Sequence, residues 1–270
     1  MSANEYLMNV VNNWKQSNIP SNNEKQVYGV VVANIKQWYA EFQRKKNNGT
    51  TVNLDIQQSG SKAKGTAIRG KSDIDIFLSF YDPNGYFTLK ELYDEIYTYL
   101  KDYFPNIRKQ NVSIGIQYNG YDIDVVPARK VNSSNYSRYH EHYLWSNKKQ
   151  TRTLTNIQKH IDMVRNSGLI NEIVIMKVWR EQKRLEFPSI YLEMIVIAAF
   201  QNNLCSNMPF ENRIIYLFQY IRDNIESKQI VDPGNSNNIL SDDLSLTEKR
   251  AIKNAAQQAI DAKYWSDIVK

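Results

Sequence analysis

Hydrophobic residues recur at helical spacing near the start of the chain. They are Val27, Val31, Ile35, Trp38 and Phe42, and the turn sequence NNGTT follows them. Apolar residues three or four positions apart form one face of an α-helix. The pattern therefore predicts one long amphipathic helix over residues 23–45, which ends before the turn.

Short runs with alternating or continuous apolar residues come next. They are TVNLDI, SDIDIFLSF, NVSIGIQYN and GYDIDVVPA, with the helical segment LKELYDEIYTYLKDYF between the second and the third. Runs of this kind predict strands, so we expect a mixed sheet covered by helices. The strands are expected to end near Thr151, and the segment SSNYSRYHEHYLWSNKK has no clean period and is interpreted as a structured loop.

The remainder of the chain has helical periodicity only. The predicted helices are 156–166, 170–184, 189–204, 210–225 and 246–265, separated by SG, FP and DPGNSNN. We therefore divide the chain near residue 150. Residues 1–150 are expected to form an α/β (α+β) core with the mixed sheet, and residues 151–270 a helical lobe.

Composition and charge limit the classes of protein that fit. A chain of 270 residues can bury a substantial core, and its one cysteine, Cys205, cannot form an internal disulfide, which favours a reducing cytoplasm. The most apolar stretch, IYLEMIVIAAF, is too short for a membrane span and contains Glu193, so we expect a buried helix and no membrane partner. The net charge of +6 favours polyanionic ligands such as nucleotides or nucleic acid.

Two acidic strands carry the candidate chemistry. Alternation places Asp73 and Asp75 on one face of SDIDIFLSF, and it places Asp122 and Asp124 on one face of YDIDVVPA. Clustered carboxylates repel one another and are stabilised by a hard cation with oxygen ligands, such as Mg²⁺. Three acids from two adjacent strands can hold two Mg²⁺ ions, an arrangement used in phosphoryl transfer.

A Gly-Ser turn precedes the first acidic strand. Gly60 permits close approach of the backbone to a phosphate, and Ser61 with the following amides can open a helix whose N-terminus favours an anion. The basic residues that follow, Lys62, Lys64, Arg69 and Lys71, are more simply explained as solvated side chains. We therefore expect a triphosphate at the turn itself.

The motifs GSKAKGTAIRGKSDIDIF and DIDVVPA together resemble the polymerase-β-like nucleotidyltransferases, and specifically the cGAS/DncV-like group, which is also similar to the oligoadenylate synthases. The resemblance covers most of the chain. It implies a two-lobed fold whose helical lobe closes a nucleotide cleft. It also implies that Asp73, Asp75 and Asp124 are the catalytic metal ligands for two Mg²⁺ ions, with Mn²⁺ as an alternative, and that Asp122 is a neighbour of this set.

The helical half carries further parts of the resemblance. IMKVWR resembles a family helix whose lysine reaches the triphosphate, which implies this role for Lys177, and FPSIYLE resembles the following helix start, which implies Ser189 near the phosphates. From the residues alone, Lys177 reads as a snorkelling lysine and Ser189 as a helix N-cap. Asn156 is interpreted first as a helix cap. It is also a candidate nucleobase contact, because family members use polar residues of this lobe to select the base.

The resemblance implies an activity as well as a fold. Such bacterial enzymes join nucleoside triphosphates, used as donor and acceptor, into a cyclic di- or oligonucleotide messenger, commonly in antiphage defence. A regulatory protein partner is left open, and nucleic acid is neither required nor excluded. Two alternatives stay open: transfer to another acceptor (a tRNA end, a drug or a protein), and a non-catalytic nucleic-acid-binding module, which the positive charge would suit.

The histidines of YHEHY have the alternation of a metal site. His140 and His142 nevertheless lack the further ligands that a zinc site requires. We therefore interpret both as loop histidines.

Overall fold

The computed structural model describes residues 1–17, 19–45, 52–131, 140–201 and 207–270. The chain divides into two compact units. The first, here called the sheet unit, consists of Ser17–Lys64 and Ser72–Ile161, and the second, the helical unit, consists of Met1–Gln16, Gly65–Lys71 and Asp162–Lys270. Cys205 lies outside the described residues.

Among the described residues, the sheet unit contains seven strands and three complete helices. These are α2 (Asn22–Lys45), β1 (Asn53–Gln58), α3 (Gly60–Lys64), β2 (Ile74–Tyr81), α4 (Leu89–Lys101), β3 (Ile107–Lys109), β4 (Ile114–Tyr118), β5 (Tyr121–Lys130), β6 (His142–Ser146) and β7 (Thr151–Thr155). The predicted class, α/β with a mixed sheet, is confirmed.

The strand order is β1-β2-β5-β4-β3, and β6 pairs with both β5 and β7. Strands β2 and β5 are parallel and central, and the other pairs are antiparallel. The ten-residue strand β5 pairs with β4 along its first half and with β6 at its end. The two central strands are those that carry the acidic motifs.

One face of the sheet is covered by α2 and α4. The buried cluster there joins helix residues such as Val31, Ile35 and Leu92 to strand residues such as Ile76 and Val125. The apolar stripe predicted for residues 23–45 is therefore the buried face of α2. Because strand side chains alternate, the residues between these apolar positions point to the opposite face.

The sequence prediction was wrong about two features of the sheet unit. Strands do not end near Thr151, because β7 begins there and pairs with β6. The end of the segment interpreted as a loop forms β6, in which His142, Leu144 and Ser146 are buried at alternate positions. Residues 133–139 of that segment lie outside the described part of the chain.

The helical unit contains the other helices and a short hairpin. These are α1 (Ala3–Trp14), α6 (Ile170–Gln182), α7 (Ser189–Ala199), α8 (Phe210–Asn224), β8 (Val231–Asp232), β9 (Asn235–Ile239) and α9 (Leu246–Asp261). Helix α5 (Ile157–Arg165) contains the boundary between the units, which falls after Ile161. The sequence prediction placed the division near residue 150, with residues 1–16 and 65–71 in the core, and in the structure these two segments belong to the helical unit.

The helical unit is built around α6 and α7. Most residues of both helices are buried, and they form one cluster with Leu7 and Val11 of α1 and with Ile252 of α9. Helix α7 corresponds to the stretch IYLEMIVIAAF, so the prediction of a buried helix is confirmed. Within the described residues, we find no helix that is both long and apolar enough to cross a membrane.

Candidate active site

Two of the predicted metal ligands lie side by side on the central strands. Asp75 of β2 and Asp124 of β5 are direct partners in the parallel register. The residues before them, Ile74 and Ile123, are buried against α2 and α4 on the other face. The expected alternation is therefore present, and it brings both carboxylates to one place on the opposite face of the sheet.

Burial, together with the neighbouring acids, disfavours the ionised form of the carboxyl groups at this place. Burial raises the pKa of Asp124 to about 6, and the negative charge of Asp73 adds to the rise. Asp73, just before β2, is more exposed, and partial burial together with the charge of Asp122 raises its pKa in the same direction. Acids held in this way gain stability from a nearby cation.

The Gly-Ser turn packs directly against Asp75. Gly60 begins α3 with φ of 64°. A β-carbon at this position would lie 1.7 Å from Oδ2 of Asp75. The backbone N–H of Ser59 also donates to the carbonyl oxygen of Asp75 at 3.0 Å. Only glycine allows this approach, so the turn and the carboxylate form one structural feature.

The donor set fits a hard divalent cation. Carboxylate oxygens are the ligands that such ions prefer, and a cation would offset the burial and the repulsion between acids that raise the pKa of Asp73 and of Asp124. In the part of the chain that the structure describes, no three His, Cys, Asp or Glu side chains already surround one point at metal-ligand distance. Asp73, Asp75 and Asp124 would therefore have to lie closer together to hold one ion.

Three residues beside Asp124 were missed by the sequence prediction. The Gln110 amide group is satisfied when its nitrogen donates to Oδ1 of Asp124 at 3.2 Å and its oxygen accepts from Nη2 of Arg108 at 3.2 Å. A hydrogen bond from Ser113 lowers the pKa of Asp124, as does the charge of Arg108. No local motif signals these residues, because it is strand register that brings them to Asp124.

Two of the basic residues after the Gly-Ser turn are buried rather than solvated. Lys62 forms an ion pair with Glu24 of α2, and both side chains are almost inaccessible. Lys64 is also buried. Arg69 and Lys71 are exposed, as expected. Lys62 is therefore held by Glu24, and its structural role is to fix α3 on α2.

Lys177 lies in the interior of the helical unit. Its Nζ donates to Oε1 of Glu193 at 2.8 Å and to Oγ1 of Thr66 at 2.9 Å, and the Thr66 hydroxyl donates to the same Glu193 oxygen at 2.9 Å. The Lys177 side chain is 2% exposed and that of Glu193 is 0% exposed. The structure thus places Lys177 in a buried ion pair rather than in the snorkelling position.

Ser189 is the first residue of α7. The N-cap is Pro188, so the interpretation of Ser189 as the cap is wrong. The Ser189 hydroxyl instead accepts from Nη1 of Arg180 at 3.0 Å. This pairing leaves a hydroxyl and a guanidinium together at the N-terminus of a helix.

Asn156 caps α5, as predicted. Its Oδ1 accepts from the backbone N–H of Lys159 at 3.1 Å. The residue is fully buried, and its Nδ2 has no hydrogen-bond partner among the described residues. The predicted nucleobase contact is not tested by this geometry and stays a prediction.

His142 is a buried strand residue, which corrects its interpretation as a loop histidine. Its Nδ1 lies 3.1 Å from the carbonyl oxygen of His140. Because a carbonyl can only accept, Nδ1 carries the proton, and Nε2 accepts from the Ser79 hydroxyl at 2.8 Å. Burial lowers the pKa of His142 to about 4. The imidazole is therefore neutral and held in one tautomer.

Comparison with known proteins identifies the family. Residues 1–163 match the Second Messenger Oligonucleotide or Dinucleotide Synthetase domain. A cyclic AMP-AMP-AMP synthase of Escherichia coli (strain MS 115-1) is 26% identical over 241 residues, which cover 76% of this chain and 74% of that protein.

Solved structures have the same fold. CdnC of E. coli MS115-1, solved with ATP, superposes with a TM-score of 0.72 at 18% identity and covers 96% of this chain and 90% of its own. The Vibrio cholerae DncV cyclic AMP-GMP synthase gives a TM-score of 0.60 at 15% identity over 80% of this chain and 66% of its own. The prediction of a cGAS/DncV-like nucleotidyltransferase that makes cyclic oligonucleotides is thereby confirmed. Because the domain match spans more than half of the sequence, the chain belongs to the Second Messenger Oligonucleotide or Dinucleotide Synthetase family.

Proposed function

We propose that Asp73, Asp75 and Asp124 are the catalytic carboxylates and that they hold two Mg²⁺ ions, which Mn²⁺ can replace. The observation that carries this proposal is the register of Asp75 and Asp124 beside Gly60. When bound, the ions supply positive charge to the reacting phosphate and to the attacking and leaving oxygens. The raised pKa of Asp124 supports a role that requires compensation by a cation.

The proposed reaction is an in-line displacement at the α-phosphate of a nucleoside triphosphate. A ribose hydroxyl oxygen of the acceptor bonds to the α-phosphorus, the bond to the bridging oxygen breaks, and pyrophosphate leaves. A second transfer of the same kind closes the ring. Gly60 and Ser61 are proposed to bind the donor triphosphate, since Gly60 brings the backbone of the turn close to Asp75.

Asp124 is proposed to lie nearest the attacking hydroxyl and to take up its proton before the proton passes to solvent. Its carboxylate is half-buried and is held by Gln110 and Ser113. A carboxylate fixed by two neutral hydrogen-bond partners keeps its orientation, which is what proton transfer at a defined atom requires.

We also propose nucleotide contacts for Ser189 and Lys177 of the helical unit and for Asn156 of the sheet unit. Ser189 with Arg180 offers a hydroxyl and a charge for a phosphate, and Asn156 is proposed to contact a nucleobase. Lys177 is proposed to reach the triphosphate only if its ammonium group leaves Glu193 and Thr66. Because Lys177 is buried in this ion pair, its alternative role is to stabilise the helical unit, and experiment can separate the two roles.

We further propose a role in antiphage signalling of the CBASS type, in the cytoplasm. The relative in E. coli is a synthase of cyclic AMP-AMP-AMP, which supports ATP as one substrate here. A regulatory protein partner is proposed because CdnC has been solved in complex with a HORMA protein.

The test is incubation of the whole protein with all four ribonucleoside triphosphates and Mg²⁺, followed by phosphatase and mass analysis. The proposal predicts cyclic products that resist phosphatase, and none when EDTA replaces Mg²⁺. If a tRNA, drug or protein added to the reaction becomes linked to a nucleotide, the result would favour the alternative in which the enzyme transfers nucleotides to such an acceptor. No turnover combined with tight duplex binding would favour the binding module.

A further inference from the structure

We propose that Arg108 binds a 5′-phosphate of the acceptor nucleotide. This assignment rests on the proposed function, and it adds a contact on the acceptor side of the same site. The assignment is supported by the position of Arg108 in a row of paired residues that crosses four strands, namely Arg108, Gly115, Asp124 and Asp75.

Strand register places Arg108 in line with the two central carboxylates. Arg108 of β3 is the partner of Gly115 in β4, and Gly115 is the partner of Asp124 in β5. Asp124 is in turn the partner of Asp75. Residues directly opposite each other on neighbouring strands share a face, so Arg108 projects from the same face as the carboxylates.

Gly115 provides the space through which Arg108 approaches Asp124. A β-carbon on Gly115 would lie 3.2 Å from both Cγ and Cζ of Arg108, and 2.6 Å from the side-chain amide group of Gln110. The arginine side chain therefore lies across β4 instead of extending into solvent, and a larger residue at position 115 would displace it.

Gln110 links Arg108 to Asp124 without neutralising the guanidinium. Its amide oxygen accepts from Nη2 of Arg108, and its nitrogen donates to Oδ1 of Asp124, both at 3.2 Å. Arg108 is exposed. Gln110 thus orients the guanidinium through one hydrogen bond, and the other donors of its planar fork suit a phosphate.

The geometry of the reaction decides which phosphate Arg108 faces. The Gly-Ser turn follows β1 and contacts Asp75 on the β1 side of β2. Arg108 lies over β4, beyond Asp124 on the other side, at a strand spacing of about 4.8 Å. In an in-line displacement the attacking oxygen and the leaving pyrophosphate are on opposite sides of the phosphorus. The donor phosphates lie at the turn, so Arg108 faces the acceptor.

Lys109 provides a matched control on the same strand. Its Nζ pairs with Oδ1 of Asp94 at 2.5 Å and lies 4.9 Å from the centre of the Tyr97 ring, on the face that α4 covers. Lys109→Ala removes one positive charge from β3 without changing the carboxylate face. Arg108→Lys keeps the charge but removes the fork.

The experiment uses radiolabelled 2′,3′-dideoxy-ATP as a donor that cannot serve as acceptor. Adenosine, AMP and ATP are compared as acceptors by kcat/KM for the joined product. We expect the wild-type protein and Lys109→Ala to favour acceptors with 5′-phosphates. In Arg108→Ala this preference should fall about ten- to hundredfold, the usual effect of one charge-assisted hydrogen bond, and Arg108→Lys should restore part of it.

An equal loss of rate for all three acceptors in Arg108→Ala would overturn the assignment, because it would show that Arg108 only balances the charge of Asp124. An unchanged preference in this variant would overturn it as well. In both cases the proposed function stands, since the wild-type protein still transfers nucleotide. If the wild-type protein transfers nucleotide to no acceptor, the proposed function fails and the assignment fails with it.

Discussion

Gly60 and Asp75 are in such close contact that the glycine has no room for a side chain. The α-carbon of Gly60 faces Oδ2 of Asp75, so that a β-carbon would lie 1.7 Å from that oxygen. The Gly-Ser turn and the first acidic strand are thus fitted to each other, which explains why the two motifs occur together.

Gly60→Ala should therefore damage activity more than stability. The methyl group displaces Asp75, and a misplacement of about 1 Å at a reacting centre can lower the rate about a hundredfold. Gly120→Ala is the control, because Gly120 also has a positive φ, 78°, but nothing lies within 4 Å of its β-carbon position. Activity is measured as joined nucleotide. Equal rates for the two variants would contradict the steric explanation.

Removal of the Lys177 ammonium group should destabilise the helical unit. Lys177→Met leaves Glu193 charged and unpaired in the interior, which typically costs about 3–5 kcal/mol. Adding Glu193→Leu to the same protein should recover most of the free energy of unfolding, measured with urea.

The same pair of variants separates the structural role of Lys177 from the predicted contact with the triphosphate. If the double variant regains stability but needs far more nucleoside triphosphate for half-maximal rate, the contact is supported. If it regains both stability and KM, Lys177 acts only through Glu193 and Thr66. A single variant as stable as the wild type would contradict the buried ion pair itself.

His142 should make the fold sensitive to mild acid. Its pKa is lowered from 6.5 to about 4 by burial, and Lys130 adds to the decrease. Between these values the unfolded chain binds a proton that the folded chain does not, so the free energy of unfolding falls as the pH decreases through this window. The loss amounts to about 3 kcal/mol by pH 4.

His142→Gln should remove this contribution. Urea unfolding of both proteins at several pH values from 7 to 4 measures the difference. We expect a shallower dependence in the variant. Parallel curves for the two proteins would show that His142 is not the group that titrates.

Asp124→Asn should stabilise the protein when divalent ions are absent. Burial raises the pKa of Asp124 from 3.8 to about 6 in the folded protein, so the free energy of unfolding falls as the pH rises between these two values, and the loss is complete at pH 7. The expected gain at pH 7 with EDTA is about 2–3 kcal/mol at most. Addition of Mg²⁺ should raise the melting temperature of the wild type much more than that of the variant.

The sequence predicted most of the sheet unit because the alternation of its strands is strong. Ile74 and Ile76 are buried and Asp75 is not, as the pattern requires. Helix α1 was missed although Ser2 and Glu5 form a capping box before its apolar residues, a signal that the sequence contains. Strand β7, TRTLT, was missed because only one of its residues, Leu154, is apolar.

The sequence predicted only those residues of the candidate site that belong to short contiguous motifs. Gly60, Asp75 and Asp124 belong to recognisable motifs, whereas Arg108 and Gln110 reach Asp124 only through the register of β3, β4 and β5. The burial of Lys177 likewise depends on Glu193, 16 positions away, and on Thr66, 111 positions away. Contacts of this kind have no periodic signal in the sequence.

The most direct test of the catalytic carboxylates compares Asp124→Asn with Asp122→Asn. Both residues lie on β5 at alternating positions, but Asp122 is exposed and pairs with Gln117 of β4, whereas Asp124 is the partner of Asp75. The measurement is the amount of phosphatase-resistant product formed from nucleoside triphosphates and Mg²⁺. We expect no detectable product from Asp124→Asn and a substantial fraction of the wild-type product from Asp122→Asn. Near-normal product from Asp124→Asn would contradict this expectation.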